Sequence, residues 1–521
     1  MTADVADAEK NHGNGRARIL RWLLLSSLLL MVLARLLGPS ALHRFDQPRT
    51  VAYTASMLVN HQWLLPDDVL GPLSTKPVLV NWLAAPVVAL GFWTEWAVKL
   101  PMLLGSLLTL WLTVHLGQRL LSECPETSGW AVEGGLLAGL AWLTTPGTMD
   151  AFYHCRPDPF LVTCLTAAWA FAVGIMRGSA SSAAWMRPAL WVVTGLAGLT
   201  KGPPMLLPML YVPLASLLLK TPKEHLQATG WRWGVPLALG ILGLWLVPVA
   251  VLHWDHFVQV LLGKEFLHRV AGVGDHFGDV SRGGGKIALL TGLHKNPVWL
   301  MQKMLPWSLA AAAALWMIHP RQWFRHPLAP AILWMLLVLG FFSLTVGKTA
   351  DYILPAYPAM AILAAYGCLR ACRRFAIQPR AFGLAGLALA AGLSVQSWFF
   401  SSAATKPYGD NVRKFADQVA VKVDAEPVAF VLTGYNTLQF FLHRHQPGHP
   451  SEAVLQAARW VVMPVVPGLK AELISDKLPG ILGSQREGVL GLYRSDPTVL
   501  EAARQSLQKA LAASPVSKGR H

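Results

Sequence analysis

Residues 233–252 read WGVPLALGILGLWLVPVAVL, a stretch without one charged side chain. A helix of that length rises about 30 Å, the thickness of a bilayer's hydrocarbon core. Comparable apolar runs lie at 19–38, 98–117, 130–149, 159–176, 185–200, 203–219, 297–317, 329–346, 352–369 and 381–400. The 521-residue chain is 54% hydrophobic and 14% charged, against about 25% charged in a soluble domain. There is too little polar side chain to coat several soluble domains, and too much apolar side chain for disorder. The glycines follow no three-residue period, so a collagen-like chain is excluded. The fold class that remains is a polytopic α-helical membrane protein.

Lys and Arg number 44 against 28 Asp and Glu, a formal charge of +16. In a soluble chain this excess would point to nucleic acid. In a membrane protein it follows from Lys/Arg-rich cytoplasmic loops, so no nucleic-acid partner is expected. The basic stretches are RARILR (16–21), LGQRLL (116–121), MRGSASSAAWMR (176–187), the segment 220–232, HPRQWFRH (319–326) and LRACRRFAIQPR (369–380). They share one side of the membrane only if 77–94, PVLVNWLAAPVVALGFWT, does not cross. If it crosses, every later loop flips. The pattern therefore predicts a re-entrant or interfacial 77–94 and eleven spans, or up to 13 with further crossings, with the N-terminus cytoplasmic and the C-terminus outside.

Residues 1–18 are polar and expected to be a disordered cytoplasmic tail. The membrane domain covers 19–400, with outer-face loops at 39–97, 150–158 and 253–296. After 400 the texture changes. Charged residues recur throughout, and short β-rich runs appear: VAFVL (428–432), WVVMP (460–464) and GVLGLY (488–493), with a helical pattern, NTLQFFLHR (436–444), between the first two. This alternation predicts a small α/β domain over 401–521 on the outer face, without a Gly-rich phosphate loop. The five Cys form no zinc or redox pattern.

The expected outer loops carry a dense polar set: Asp46, Arg49, Lys76, His154, Arg156, Asp158, Lys201, Glu265, His268, Arg269, Lys348 and Asp351. Lys76, Lys201 and Lys348 each sit at a membrane boundary on the side that should be poor in cations. Each alone could be a lysine snorkelling to the headgroups. Together, and beside aspartates, they point to an anion site at the bilayer, and a lipid phosphate is the obvious anion. Asp46 and Asp158 form the candidate acid/base pair, because a carboxylate near cations stays ionised and can take a proton from, or hold, an incoming hydroxyl. Each could also be a helix cap: Asp46 precedes Gln47-Pro48, and Asp158 precedes Pro159.

The run FDQPRTVAYTASMLVNHQWLLP (45–66), then STKPVLVNWL (74–83) and WAVKLPMLLG (96–105), resembles the start of bacterial membrane glycosyltransferases of the protein mannosyltransferase superfamily, near the lipid A aminoarabinose transferases. RPDPFL (156–161), LTKGPPMLLP (199–208), KEFLHRV (264–270), MLPWSL (304–309) and KTADYILPAYPAMAIL (348–363) extend the resemblance, in order, across about 1–370. It implies a GT-C fold enzyme that takes a sugar from a polyprenyl-phosphate donor to an acceptor lipid, glycan or protein, at the outer face of the bacterial cytoplasmic membrane. It also implies that Asp46 is the first catalytic aspartate and Asp158 the second outer-loop aspartate. Arg49, Lys76, Arg269 and Tyr352 then fall on positions resembling donor-phosphate contacts.

The departures are specific. Thr75 stands where the relatives have Glu, and Phe266 where they have His; that pair resembles a metal-ligand pair. A divalent cofactor is therefore not assigned, although His268 could rebuild a site. Gln47 and Thr50 replace the relatives' Glu and Tyr, so the sugar and acceptor are not carried over. A transporter or flippase of lipid-linked sugars is the alternative, but the paired halves expected of one are not visible. A non-catalytic binder of such lipids is the third reading.

Overall fold

The computed structural model describes residues 2–37, 42, 47–69, 71–178, 180–218, 222–267, 293–345, 348–433, 436–482 and 485–513. The helices are α1 (Thr2–Leu37), α2 (Gln47–Val59), α3 (Leu79–Ala89), α4 (Glu95–Ser122), α5 (Ala131–Leu143), α6 (Pro146–Tyr153), α7 (Pro157–Arg177), α8 (Ala180–Lys201), α9 (Leu206–Leu218), α10 (Pro222–Thr229) and α11 (Trp231–Leu252). A π-helical segment, Phe257–Leu267, follows. Then come α12 (Lys295–Lys303), α13 (Trp307–Met317), α14 (Ala329–Ser343), α15 (Tyr357–Phe375) and α16 (Pro379–Val423).

Among the described residues, 6 helical segments are long and apolar enough to cross a membrane: Gly15–Ala34, Glu95–Ser122, Pro157–Arg177, Leu226–Leu252, Ala350–Phe375 and Pro379–Phe399. All coincide with expected spans. The other expected spans are built differently. The run 130–149 breaks into α5 and α6 at Pro146, which has no N–H to continue the ladder and restarts the helix. The run 297–317 breaks into α12 and α13 at Pro306. The runs 203–219 and 329–346 become shorter apolar helices, and 185–200 lies in α8, which carries Arg187 and Lys201. Short helices at membrane depth are stable where protein buries them, as it does most of α14. The α3 helix has 11 residues, about 16 Å of rise, half of what a crossing needs.

Two features of the chain path bear on the expected domain bounds. The 1–18 tail is helical from Thr2 onward, continuous with the first apolar run. Extending an existing helix adds one hydrogen bond per residue and avoids the nucleation cost, and the Ala, Glu, Lys and Arg here are good helix formers. Residue 401 is not a boundary in the chain path, since α16 runs unbroken through it to Val423.

Within the bundle α15 is the central pillar, almost wholly buried, while α11 and the apolar half of α16 are largely exposed. The α8–α11 contact depends on Gly234, where a Cβ would lie 2.0 Å from Trp191 Nε1. Ionic contacts gather the basic stretches at one end: Arg16 pairs with Glu133, Arg177 with Glu123 and Arg370 with Glu126, and Arg373 lies over Trp130.

The C-terminal sheet has strand order β1-β2-β4-β3, with β1 (Val428–Phe430), β2 (Trp460–Pro464), β3 (Leu473–Leu482) and β4 (Gln485–Arg494). β1 pairs parallel with β2; the other pairings are antiparallel. Side chains alternate between faces with period two. Val428, Phe430, Val462, Leu490 and Leu492 pack on Val412–Val423 of α16. Ala429, Val461, Met463 and Tyr493 pack on the other side, against α19 (Pro497–Ala513) and α18 (Glu452–Ala457). Helix α17 (Asn436–Phe441), which follows β1, inserts Phe440 into a cluster with Val51, Val80, Val88 and Met102 of the membrane domain.

Candidate active site

Pro157 begins α7 and places Asp158 in its first turn, where unpaired N–H groups and the helix dipole favour a carboxylate. Asp158 is buried. Lys201, the last residue of α8, forms an ion pair with Asp158 Oδ1. Gly202, at φ +75°, turns the chain away so that the lysine can stay there. Arg156 Nε lies 3.7 Å from Asp158 Oδ2, and its Nη1 lies 2.5 Å from Asp351 Oδ2. Asp351 opens a 3-10 turn, Ala350–Ala356, that also presents Tyr352. The Tyr352 ring stacks on Phe342 and carries Lys201 Nζ 4.9 Å from its centroid. The charge of Lys76 also reaches Asp158.

The N-terminus of α2 meets this cluster through Gln47, whose Oε1 accepts the Cys155 N–H at 2.8 Å. Three chain segments remote in sequence, around 47, 155–158 and 351–352, thus meet at the end of the bundle opposite the basic contacts. Asp158, Lys201 and Tyr352 come together, with Lys76 in electrostatic reach. Arg49 Nε lies 3.3 Å from Asp68 Oδ2. Lys348 donates to the Thr345 carbonyl at 2.7 Å; burial, and then the Lys295 charge, lower its pKa. Asp46, Arg269 and His268 lie outside the described residues, as does Glu265 for its side chain.

Curated relatives match the chain in sequence. The undecaprenyl phosphate-alpha-4-amino-4-deoxy-L-arabinose arabinosyl transferase of Pseudomonas paraeruginosa is 26% identical over 358 residues, covering 66% of this chain and 59% of the relative. The enzyme of that name from Sodalis glossinidius is 26% identical over 338 residues, covering 62% and 54%. The chain thus matches less than two thirds of the length of these relatives. No protein-family model matches it. The crystal structure of ArnT from Cupriavidus metallidurans bound to undecaprenyl phosphate superposes with a TM-score of 0.63 at 17% identity, covering 90% of this chain and 97% of that one. Its apo state gives 0.64. The chain has the GT-C fold.

Within that fold, sequence reading missed a residue set in the turn after α2 and at the start of α4. Asp67 and Asp68 belong to the turn after α2, where Asp68 N–H donates to the Pro72 carbonyl at 3.1 Å and Gly71 adopts φ +97°. Asp-Asp before Gly-Pro signals a turn in sequence, but nothing local tells that Asp68 meets Arg49 or that Asp67 meets His445. Glu95, the first residue of α4, pairs with Arg413 at 3.0 Å.

The residues at the relatives' metal-like positions do not fit a divalent ion. Thr75 offers at most a hydroxyl and Phe266 no donor at all. His256 Nε2 is engaged with the Ser74 carbonyl at 3.0 Å. Among the described residues, no three His, Cys, Asp or Glu gather.

Proposed function

We propose that this chain is a membrane glycosyltransferase that moves a sugar from a polyprenyl-phosphate donor to an acceptor at the outer face of the bacterial inner membrane. The observation that carries the reading is the buried Asp158–Lys201–Arg156 cluster beside Tyr352, at the bundle end where α2 begins. Ionisable groups gathered at a membrane boundary are usually functional, and the carrier phosphate of a lipid-linked sugar is an anion that the membrane itself delivers to such a site. The sequence relatives and the fold support the same chemistry. The gathering of the other basic loops at the opposite end supports a cytoplasmic N-terminus.

In this reading Asp46 takes the proton from the acceptor hydroxyl. The oxygen attacks the anomeric carbon as its bond to the phosphate oxygen breaks, with inversion, and polyprenyl phosphate leaves. Charge grows on that oxygen, so cations already in place are the main source of rate. Lys76, Lys201, Arg49, Arg269, Lys348 and Tyr352 are the proposed phosphate contacts. Asp158, paired with Lys201 and close to Arg156, holds these cations in position. The direct test is transfer by purified protein from a polyprenyl-phosphate sugar, with product stereochemistry read by NMR. An inverted product lost in Asp46→Asn supports the reading; retained stereochemistry, or activity unchanged in Asp46→Asn, contradicts it.

A further inference from the structure

We propose that Asp68 is the positioning residue for Arg49, and that the C-terminal domain exists in part to hold Asp68 there. The inference rests on Arg49 being a phosphate contact, as proposed above. Asp68 is 1% exposed, and its Oδ2 meets Nε of a half-exposed arginine at 3.3 Å. The contact is an ion pair and not a hydrogen bond at that oxygen, and the charge of a buried carboxylate at that distance draws the guanidinium toward this turn.

What fixes Asp68 comes from the other end of the chain. On one side, Asp67 Oδ1 accepts from His445 Nε2 at 2.9 Å and from Ser56 Oγ at 2.6 Å. On the other, Val69 N–H donates to Asn436 Oδ1 at 3.0 Å, and the Val69 carbonyl accepts from Gly448 N–H at 2.5 Å. His445 and Asn436 are themselves buried. Residues 67 and 69 are therefore both clamped by the C-terminal domain, with Asp68 between the clamps. Trp93 stacked on His443, at 4.7 Å between centroids, and the Glu95–Arg413 pair keep the domain seated on the outer loops. A surface domain tied on for stability alone would not need to grip both neighbours of one buried carboxylate paired with Arg49.

The test uses the full chain in nanodiscs, with undecaprenyl phosphate as the probe. Dissociation constants are measured for wild type, Asp68→Asn, Arg49→Ala, the double variant and His445→Ala, with thermal melts alongside. Asp68→Asn should weaken binding about tenfold, the scale of one ion pair at a protein surface with a partly buried partner. In the Arg49→Ala background the same change should cost less than about twofold, because its effect passes through Arg49. His445→Ala, which touches no part of the site, should weaken binding severalfold and be similarly silent without Arg49. Additive losses in the double variant, or wild-type affinity in a folded Asp68→Asn, overturn the positioning role. Should Asp68→Asn not fold, His445→Ala decides alone: wild-type affinity there refutes the inference. Failure of the wild type to bind undecaprenyl phosphate overturns the glycosyltransferase reading itself, and this inference with it.

Discussion

Replacing Lys201 by Met keeps most of the length of the side chain and removes its charge. The ion pair it makes is buried on both sides, with side-chain exposures of 10% for Lys201 and 7% for Asp158. Breaking such a pair from one side leaves a buried charge uncompensated and costs about 3–5 kcal/mol. Arg156, 3.7 Å from the other carboxylate oxygen, retains part of the compensation, so the expected loss is at the lower end, about 3 kcal/mol. Removing both charges, in Asp158→Asn/Lys201→Met, should recover most of that, because the remaining amide is far cheaper to bury than a carboxylate. The assay is unfolding by SDS titration in mixed micelles, followed by tryptophan fluorescence, for wild type, both single variants and the double. Transfer activity should vanish in Lys201→Met and stay absent in the rescued double, which separates the stability role of the pair from its chemical one. The reasoning is refuted if Lys201→Met loses less than about 1 kcal/mol, or if the double variant loses the sum of the singles.

Other consequences are sharper in sign than in size. Asp46→Asn should keep the fold, losing at most about 1 kcal/mol as a cap, yet slow transfer roughly 100-fold or more; turnover kinetics on a variant with an unchanged melt checks this. Lys76→Ala should slow turnover about 100-fold, and Lys76→Arg should restore only part of it, since a planar fork does not replace a point charge; full activity in Lys76→Arg with mild loss in Lys76→Ala would return this residue to snorkelling. Burial raises the Asp67 pKa, but the hydrogen bonds from His445 and Ser56 outweigh it and leave it below the ordinary 3.8. Its contribution to docking is therefore complete above that ordinary value and disappears as pH falls through the depressed one. Protection from hydrogen exchange over 436–448, taken relative to the intrinsic rate at each pH, should fall as pH drops below about 4, and Asp67→Asn should remove that acid dependence.

The sequence is most legible where one local property decides the outcome. Twenty uncharged residues at 233–252 make a helix whatever lies around them. The strands VAFVL and WVVMP carry their pattern in a few residues. Lys201 and Asp158 stand out because charge at a membrane boundary is rare. Legibility fails where the deciding partner is far away. β3 escapes notice because it is an edge strand containing Asp476, Lys477 and Pro479, with no apolar alternation. The breaks at 144–146 and 304–306 look like continuous spans to any hydropathy window, because a threonine hydroxyl or one proline hardly changes the average. Asp68 and His445 sit in unremarkable polar turns, and their meaning arises only from the contact between the 66–74 turn and the C-terminal domain.

The most direct measurement of the central claim is mass spectrometry of lipid-linked sugars in cells with and without the gene. If the chain consumes a polyprenyl-phosphate sugar, its loss makes one such lipid accumulate while one surface glycoform disappears. Complementation with wild type should clear the lipid, and complementation with Asp46→Asn should not. An unchanged pool of polyprenyl-phosphate sugars and an unchanged surface would contradict the account.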